Sequence, residues 1–335
     1  MKNSILVSYS PDEDIQPIFF EVLGDLADIN FLPGNNVHKR IKLLNAAEVI
    51  FALSFSKKEI DPREISHLPN LRFIQLVYAG ADNIPFNLIS EDIILACNVG
   101  AFAEPIAEHV LALVLALAKN IMPNYRMLCE GKFDSTGFNQ ELRGGVCAII
   151  GFGGNGKAIA RTMQAIGMKI FGINRSGTTE APVEFVGKAS DLKKALEISE
   201  VVVLTTPLNR NTRDLIGRKE LKWMKEDAIL INVGRGEVIN QKALYEHLKS
   251  HPNFRAGIDT WWSEPADRGA LALDFPFLEL PNIIGSPHCA DHVPQSMPRA
   301  TRKALENVRR FLLGNNIRGV LVRDDYRKSL DKEHE

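Results

Sequence analysis

The sequence predicts an α/β protein built from two doubly wound parallel sheets. Short apolar runs rich in Ile and Val alternate with helical stretches in two separate series, and a long apolar helix stands between the series. The chain has 335 residues, more than one hydrophobic core usually serves. Its 45% apolar and 24% charged residues are typical of a globular protein. We therefore expect two domains and exclude disorder, collagen-like sequence and coiled coil for the bulk of the chain.

The first series occupies about the first hundred residues. Its continuous apolar runs are typical of strands that are buried on both faces of a parallel sheet. A helix is expected over residues 15–26. The predicted strands are 5–9, 28–32, 49–55, 72–78 and 93–99.

The helix between the series begins near Glu104-Pro105, where an acidic residue and a proline are both favoured. Residues 110–118 are apolar on every face of that helix. A helix with this pattern needs burial on several sides. We expect it between two domains or at a subunit interface.

The second series begins at Gly145 and repeats the strand-helix alternation of a parallel sheet. Helices are expected over 155–165 and 241–249, and a basic amphipathic helix over 298–313 ends the pattern. The predicted strands are 146–150, 169–173, 201–205, 228–233, 256–258 and 282–285.

Charge and composition exclude several classes of partner. Forty basic and 41 acidic residues give a net charge of -1, which does not favour a nucleic-acid surface. The longest apolar run is about half of a membrane span, and the N-terminal run is too short for a signal peptide. The four cysteines lack metal or redox spacing. We expect a cytoplasmic protein with reduced thiols, no metal site, and no membrane or nucleic-acid partner.

A glycine-rich turn follows the predicted strand 146–150 and opens a helix. It matches G-x-G-x-x-G, in which the first glycine permits the turn, the second lets a pyrophosphate approach, and the third lets helix and strand pack. A tight turn without a ligand is the alternative, which the strand-helix context disfavours. The predicted cofactor-binding residues here are Gly151, Phe152, Gly153, Gly154, Asn155 and Gly156.

The end of the next strand carries Asn174, Arg175 and Ser176, where an acidic residue would bind the ribose hydroxyls of NAD. An acidic side chain would repel a 2′-phosphate, whereas Asn does not and Arg pairs with it. The sequence therefore predicts NADP as the preferred cofactor, with NAD possible. Alternatively, Arg175 stacks on the adenine of either cofactor.

Three further segments place reactive side chains at predicted strand ends: Arg235, Glu264 and His288. Carbonyl reduction needs a cation that polarises the carbonyl and an acid that protonates its oxygen. Arg235 can supply the first and His288 the second, with Glu264 raising the pKa of the imidazole. Singly, each residue fits a structural role better than a catalytic one. Their order behind a dinucleotide loop favours catalysis.

Four motifs resemble those of the D-isomer-specific 2-hydroxyacid dehydrogenase family, in its glyoxylate/hydroxypyruvate reductase-like branch. They are GFGGNG at 151–156, INVGRGEVIN at 231–240, GIDTWWSEP at 257–265 and SPHCAD at 286–291. The resemblance implies a Rossmann cofactor domain over 101–289, inserted into a flavodoxin-like substrate domain made of 1–100 plus 290–335. It also implies a homodimer that forms through the region of the long helix.

The resemblance also implies roles for individual residues. Arg235, Glu264 and His288 would form the catalytic triad, and Arg235 and His288 would also bind the substrate. Tyr78, Ala79 and Gly80 resemble the loop whose backbone binds the substrate carboxylate. Further cofactor-binding residues implied are Thr205, Thr206, Pro207, Val233, Gly234 and Asp259.

The expected activity is hydride transfer between a nicotinamide cofactor and a small 2-oxo or D-2-hydroxy acid, in the reducing direction on glyoxylate, hydroxypyruvate or a related 2-keto acid. A dinucleotide-sensing protein like the corepressors of this fold, or an oxidoreductase of a small inorganic acid such as phosphite, is the alternative.

Two local features depart from the family pattern. Asp291 and His292 replace small residues that usually follow the catalytic histidine. Trp261 and Trp262 place large aromatic side chains near Glu264, either as a pocket wall or as ordinary packing.

Overall fold

The two series of strands form two parallel sheets, each in its own unit of the computed structural model. Unit 1 contains the residues up to Ala101 and those from Val293 onward, and unit 2 is Phe102–His292. The structure describes residues 2–34, 36–82, 84–265 and 269–326. The predicted fold class is confirmed.

Unit 1 holds a five-stranded sheet in the order β2-β1-β3-β4-β5, the flavodoxin-like order. Its strands are β1 (Asn3–Val7), β2 (Ala27–Phe31), β3 (Val49–Ala52), β4 (Phe73–Leu76) and β5 (Ile94–Ala96). Its helices are α1 (Gln16–Leu23), α2 (Val37–Ala46) and, from the end of the chain, α9 (Ser296–Leu312).

Several strands of unit 1 end earlier than predicted. The predictions 49–55, 72–78 and 93–99 run three or fewer residues past the carboxyl ends of β3, β4 and β5. Burial extends past the strands, since Phe55 and Val77 stay in the interior after their strands have ended. Apolar runs mark buried residues, and the sheet stops before the burial does.

Unit 2 holds a seven-stranded parallel sheet in the order β12-β11-β10-β9-β6-β7-β8. Counted from β6, this is the doubly wound order with one additional strand. The strands are β6 (Val146–Ile150), β7 (Lys169–Ile173), β8 (Phe185–Gly187), β9 (Val201–Leu204), β10 (Ile229–Asn232), β11 (Arg255–Ile258) and β12 (Ile283–Gly285). The helices are α3 (Ala103–Ala118), α4 (Ile121–Cys129), α5 (Gly154–Ala165), α6 (Leu192–Ile198), α7 (Arg218–Leu221) and α8 (Gln241–Ser250).

The sheet of unit 2 separates two hydrophobic cores, one on each face. Helices α3 and α5 pack in one core, and α6 and α8 pack in the other. The strand order reverses between β6 and β9. In open sheets of this kind, ligands bind outside the carboxyl ends of the strands at such a reversal.

Helix α3 buries one side only within a single chain. Val110, Val114 and Leu117 are buried, while Ala112 and Leu115 are exposed. The exposed apolar side chains continue through α4 and beyond, and we call them the apolar face: Leu115, Ile121, Met122, Tyr125, Leu128, Phe133 and Phe138.

Within the described ranges, no single helix is long and apolar enough to cross a membrane. Helices α3 and α4 together have the length and apolar composition of a membrane span, but the chain bends by 60° between them.

Candidate active site

The glycine loop joins β6 to α5 with one open side. A Cβ on Gly151, whose φ is +102°, would meet the Thr206 nitrogen at 2.7 Å. A Cβ on Gly156 would meet the Gly151 carbonyl oxygen at 2.7 Å, whereas one on Gly153 would meet nothing within 4 Å. The first and third glycines are therefore needed for packing, and the middle one faces free space.

The surroundings of this loop fit a dinucleotide. Phe152 is buried and packs on the strand β7, while Gly154 and Asn155 lie in the first turn of α5, where backbone N–H groups lack helical acceptors. Thr205 Oγ1 donates to the Gly151 carbonyl at 2.7 Å. Thr206 Oγ1 is buried without a hydrogen-bond partner in the described part of the chain. A bound polar group could satisfy that hydroxyl.

Asn174 shapes the loop after β7. Its Oδ1 accepts the Gly177 N–H at 2.7 Å and the Ser176 hydroxyl at 3.2 Å, and its Nδ2 donates to the Thr178 carbonyl at 2.9 Å. Arg175 is exposed at the edge of the same loop. Asn174 thus fixes the loop, and Arg175 and Ser176 are exposed on it.

The turn after β10 carries Val233, Gly234 and Arg235. Asn232 Nδ2 donates to the Arg235 carbonyl at 2.8 Å, and its Oδ1 accepts the Gly234 N–H at 3.1 Å. A Cβ on Gly234 would meet the Thr206 carbonyl oxygen at 2.7 Å. The Arg235 Nη1 donates to the Gly234 carbonyl at 2.7 Å. The buried side-chain amide of Asn232 therefore fixes the backbone from which the Arg235 side chain extends.

Glu264 and His288 form a direct hydrogen bond, with His288 Nδ1 2.7 Å from Glu264 Oε2. The other carboxylate oxygen, Oε1, accepts the Trp261 N–H at 2.7 Å. The bond to Glu264 raises the pKa of His288, against the opposing effects of burial and of Arg235. Burial alone would raise the pKa of Glu264, but the bonds from His288 and Trp261 outweigh it and the net pKa is lowered.

Both shifts favour an imidazolium paired with a carboxylate. Because Nδ1 is held by Glu264, Nε2 is the nitrogen left to face a substrate. The Arg235 guanidinium is near enough to lower both pKa values. The structure thus brings the three predicted triad residues into one electrostatic group.

His288 has a backbone conformation that non-glycine residues rarely adopt, with φ at +49°. Its N–H donates to the Asp259 carbonyl at 2.9 Å. The Asp259 carboxylate accepts the Cys289 N–H at 3.0 Å and the Ala290 N–H at 3.3 Å. Asp259, predicted as a cofactor residue, is therefore also the anchor of the turn that carries His288.

The two tryptophans pack into the core beside the site. Trp261 is buried, and its Nε1 donates to the Ser286 carbonyl at 2.9 Å. Trp262 stacks on Phe277 and donates to the Ile239 carbonyl at 2.6 Å. Of the two interpretations left open by the sequence, packing describes both side chains.

The remaining predicted residues follow β4, β9 and the turn of His288. Pro207 follows β9, next to Thr206. Tyr78, Ala79 and Gly80 follow β4 in unit 1, where the Tyr78 N–H donates to the Leu53 carbonyl at 3.1 Å. Asp291 and His292 form a pair with Oδ1 and Nε2 3.6 Å apart. In the described ranges, no three His, Cys, Asp or Glu side chains are arranged to hold a metal ion.

Sequence reasoning missed three polar residues that support the site: Asn232, Ser286 and His109. Asn232 is a polar residue at the end of an otherwise apolar strand, which is a readable signal. His109 is a polar residue that precedes the apolar stretch of α3. For both Asn232 and His109, the hydrogen-bond partner can be identified only from the folded structure.

Comparison with known proteins gives consistent likenesses. The family model of the D-isomer specific 2-hydroxyacid dehydrogenase, NAD binding domain, matches residues 111–290. The chain is 32% identical to the glyoxylate reductase of Korarchaeum cryptofilum over 76% of this chain and 77% of that one. A solved D-isomer specific 2-hydroxyacid dehydrogenase family protein from Aeromonas salmonicida is 27% identical, with a TM-score of 0.75 over 96% of this chain and 99% of that one.

A longer relative is matched over part of its length. The D-3-phosphoglycerate dehydrogenase of Methanocaldococcus jannaschii is 29% identical over 90% of this chain. The chain spans 56% of that enzyme.

Proposed function

This chain belongs to the D-isomer-specific 2-hydroxyacid dehydrogenase family of NAD(P)-dependent oxidoreductases, and we propose that it reduces small 2-oxo acids to D-2-hydroxy acids. Glyoxylate, hydroxypyruvate and related 2-keto acids are the proposed substrates. The observation that carries the proposal is the 2.7 Å bond between His288 Nδ1 and Glu264 Oε2, together with the raised pKa of His288.

In this proposal His288 is the general acid. The bond to Glu264 raises the pKa of the imidazole, which favours its charged form, and directs Nε2–H away from the carboxylate. As a hydride reaches the carbonyl carbon, the carbonyl oxygen gains negative charge and takes the proton from Nε2. The neutral imidazole that remains stays bonded to Glu264, ready to be protonated again. In the oxidising direction the same nitrogen accepts the hydroxyl proton.

Arg235 is proposed to hold the substrate carboxylate and to polarise its carbonyl. A guanidinium can donate two parallel hydrogen bonds to one carboxylate, which fixes the orientation of the substrate. Ala79 and Gly80 are proposed to bind the carboxylate through backbone N–H groups, in a loop that the Tyr78 N–H holds through its bond to the Leu53 carbonyl. We accordingly propose unit 1 as the substrate domain and unit 2 as the dinucleotide domain.

A bound nicotinamide dinucleotide supplies the hydride. The residues proposed to hold it are those of the glycine loop, Thr205, Thr206, Pro207, Val233, Gly234 and Asp259. The free space beside Gly153 and the unsatisfied hydroxyl of Thr206 support this assignment. NADP is the proposed preference, because Arg175 and Ser176, and not an acidic side chain, directly follow Asn174 at the end of β7.

The experiment is a cofactor-by-substrate matrix. NADPH and NADH oxidation is followed by absorbance against glyoxylate, hydroxypyruvate, pyruvate and a longer 2-oxo acid. We expect turnover with at least one acid, and a higher kcat/KM with NADPH. No turnover across the panel would refute the activity, and a clear NADH preference would refute the role of Arg175.

A second copy of this chain is the proposed partner at the apolar face. Seven large apolar side chains are exposed there, and Phe138 is 96% exposed. Large apolar side chains exposed over one stretch of chain favour an interaction site. Sedimentation equilibrium should give twice the mass of one chain, and a single-chain mass at micromolar concentration would contradict the proposal.

A further inference from the structure

Behind the proposed catalytic group lies a chain of three polar side chains, all in unit 2. The His109 Nε2 is 2.8 Å from the Ser286 Oγ. The Ser286 Oγ is 2.6 Å from the Asp259 Oδ1, and the His109 Nε2 is 3.6 Å from that same oxygen. The three residues come from α3, from the end of β12 and from the end of β11.

The direction of these hydrogen bonds follows from the chemistry of the groups. An ionised carboxylate only accepts, so the Ser286 hydroxyl donates its proton to Asp259. The serine oxygen is then available to accept, and His109 can donate to it from Nε2. This order requires the His109 tautomer, or the imidazolium, that carries a proton on Nε2.

The Asp259 carboxylate is buried and accepts several hydrogen bonds. It is 1% exposed, and besides Ser286 it accepts the N–H groups of Cys289 and Ala290. Those two residues follow His288, whose own N–H is held by the Asp259 carbonyl. The carboxylate therefore helps to hold the left-handed turn at His288, which would otherwise relax to a commoner conformation.

We propose that His109 is a positioning residue: it orients the Ser286 hydroxyl and, through it, the Asp259 carboxylate that holds the turn of His288. The inference rests on the proposed function, since it concerns how the proposed acid is placed. The side chain of His109 is 23% exposed and lies on a helix that is otherwise lined with apolar residues toward the core. Space filling alone would be served by leucine.

Two substitutions separate hydrogen bonding from packing. His109→Gln keeps an N–H donor that can reach Ser286, whereas His109→Leu fills similar volume without a donor. We expect kcat to fall about tenfold in His109→Leu and to stay within about threefold in His109→Gln, the scale of one hydrogen bond to a charged network. The KM for the cofactor should change less than kcat.

The route through Ser286 is tested by combination. Ser286→Ala should lower kcat by a similar factor, and the double variant with His109→Leu should be no worse than the more impaired single variant. Residues that act in series give such non-additive effects. Full multiplication of the two losses would overturn the route through Ser286.

A second readout needs no turnover. Histidine-selective 15N labelling follows the titration of His288, whose pKa is raised by Glu264 and Asp259 and lowered by Arg235. A displaced turn weakens the bond to Glu264, so the pKa of His288 should fall in His109→Leu and hold in His109→Gln.

The two proposals fail separately. If the unmodified enzyme reduces no 2-oxo acid, the proposed function is wrong, and the titration of His288 still decides the positioning. If His109→Leu and His109→Gln behave alike in both the kinetics and the titration, the positioning role is overturned whatever the activity.

Discussion

Two glutamates of the molecule, Glu59 in unit 1 and Glu264 in unit 2, hold loops near strand ends and differ in what else they bind. Glu59 accepts the N–H groups of Leu53, Ser54 and Ser56 and the hydroxyl of Ser8. Glu264 accepts one N–H, from Trp261, and gives its other oxygen to His288.

The difference teaches how a carboxylate becomes functional. The partners of Glu59 named above are neutral donors with no proton to exchange near neutral pH, so these bonds serve the fold. Glu264 divides its oxygens between a fixed backbone donor and an imidazole, a group that titrates near neutral pH. The first bond fixes the carboxylate in space, and the second lets it act on a proton.

The largest effect should come from removing the titratable partner of Glu264. In His288→Asn the side chain loses its acid, while asparagine tolerates the left-handed backbone at this position better than most residues. We expect kcat for 2-oxo acid reduction to fall by about 10²–10⁴, the usual contribution of a general acid. Steady-state kinetics measure the loss.

The control for this variant is cofactor affinity. Fluorescence titration with NADPH should give a dissociation constant within about twofold of that of the unmodified enzyme. The reason is that NADPH binding does not need a hydrogen bond to His288. Retained turnover in His288→Asn would show that Glu264 serves the fold just as Glu59 does.

A smaller effect is expected when Glu264 itself loses its charge. In Glu264→Gln the main cause of the raised pKa of His288 is removed, so that pKa falls. Reduction needs protonated His288, and its rate declines as the pH rises through this pKa. The alkaline limb of the kcat/KM profile should therefore move to lower pH, with a loss of about tenfold at neutral pH. An unmoved limb would contradict the role of Glu264.

The smallest effect on catalysis and a clear effect on stability are expected at Glu59. Glu59→Gln replaces one acceptor oxygen with an amide donor that faces N–H groups, leaving a buried donor unpaired. The free energy of unfolding should fall by about 1–3 kcal/mol, as measured by urea denaturation. The pH profile of activity should keep its shape. A changed profile would erase the distinction between the two glutamates.

Much of the fold was readable because burial leaves a pattern in parallel strands. The runs at β3 and β9 are apolar throughout, the run at β10 is apolar up to Asn232, and the fold class they predict is confirmed. Helix α2 gives little signal because Leu44 is its one side chain described as buried. Strand β8 is three residues long, with one buried, and leaves no alternation to detect.

The candidate site also has features that the sequence predicted and features that it could not predict. The family resemblance drawn from four motifs is confirmed by the matching family model. The residue roles remain predictions, although the structure joins Glu264 to His288 at hydrogen-bond distance. The chain of His109, Ser286 and Asp259 spans 177 positions between its first two members and depends on how α3 packs against the sheet. Local sequence cannot report such a pairing.

Trp261 has a consequence for how this enzyme could be redesigned. A Cβ on Gly236 would meet the Trp261 carbonyl oxygen at 2.4 Å, and one on Gly285 would meet its ring at 2.4 Å. These glycines adjoin the segments of Arg235 and His288, and Trp261 itself holds Glu264. The three reactive segments thus all contact one residue: Gly236 and Glu264 contact its backbone, and Gly285 contacts its ring. A larger residue at Gly285 therefore needs a smaller side chain at Trp261, whereas a larger residue at Gly236 would meet main-chain atoms that no side-chain substitution removes.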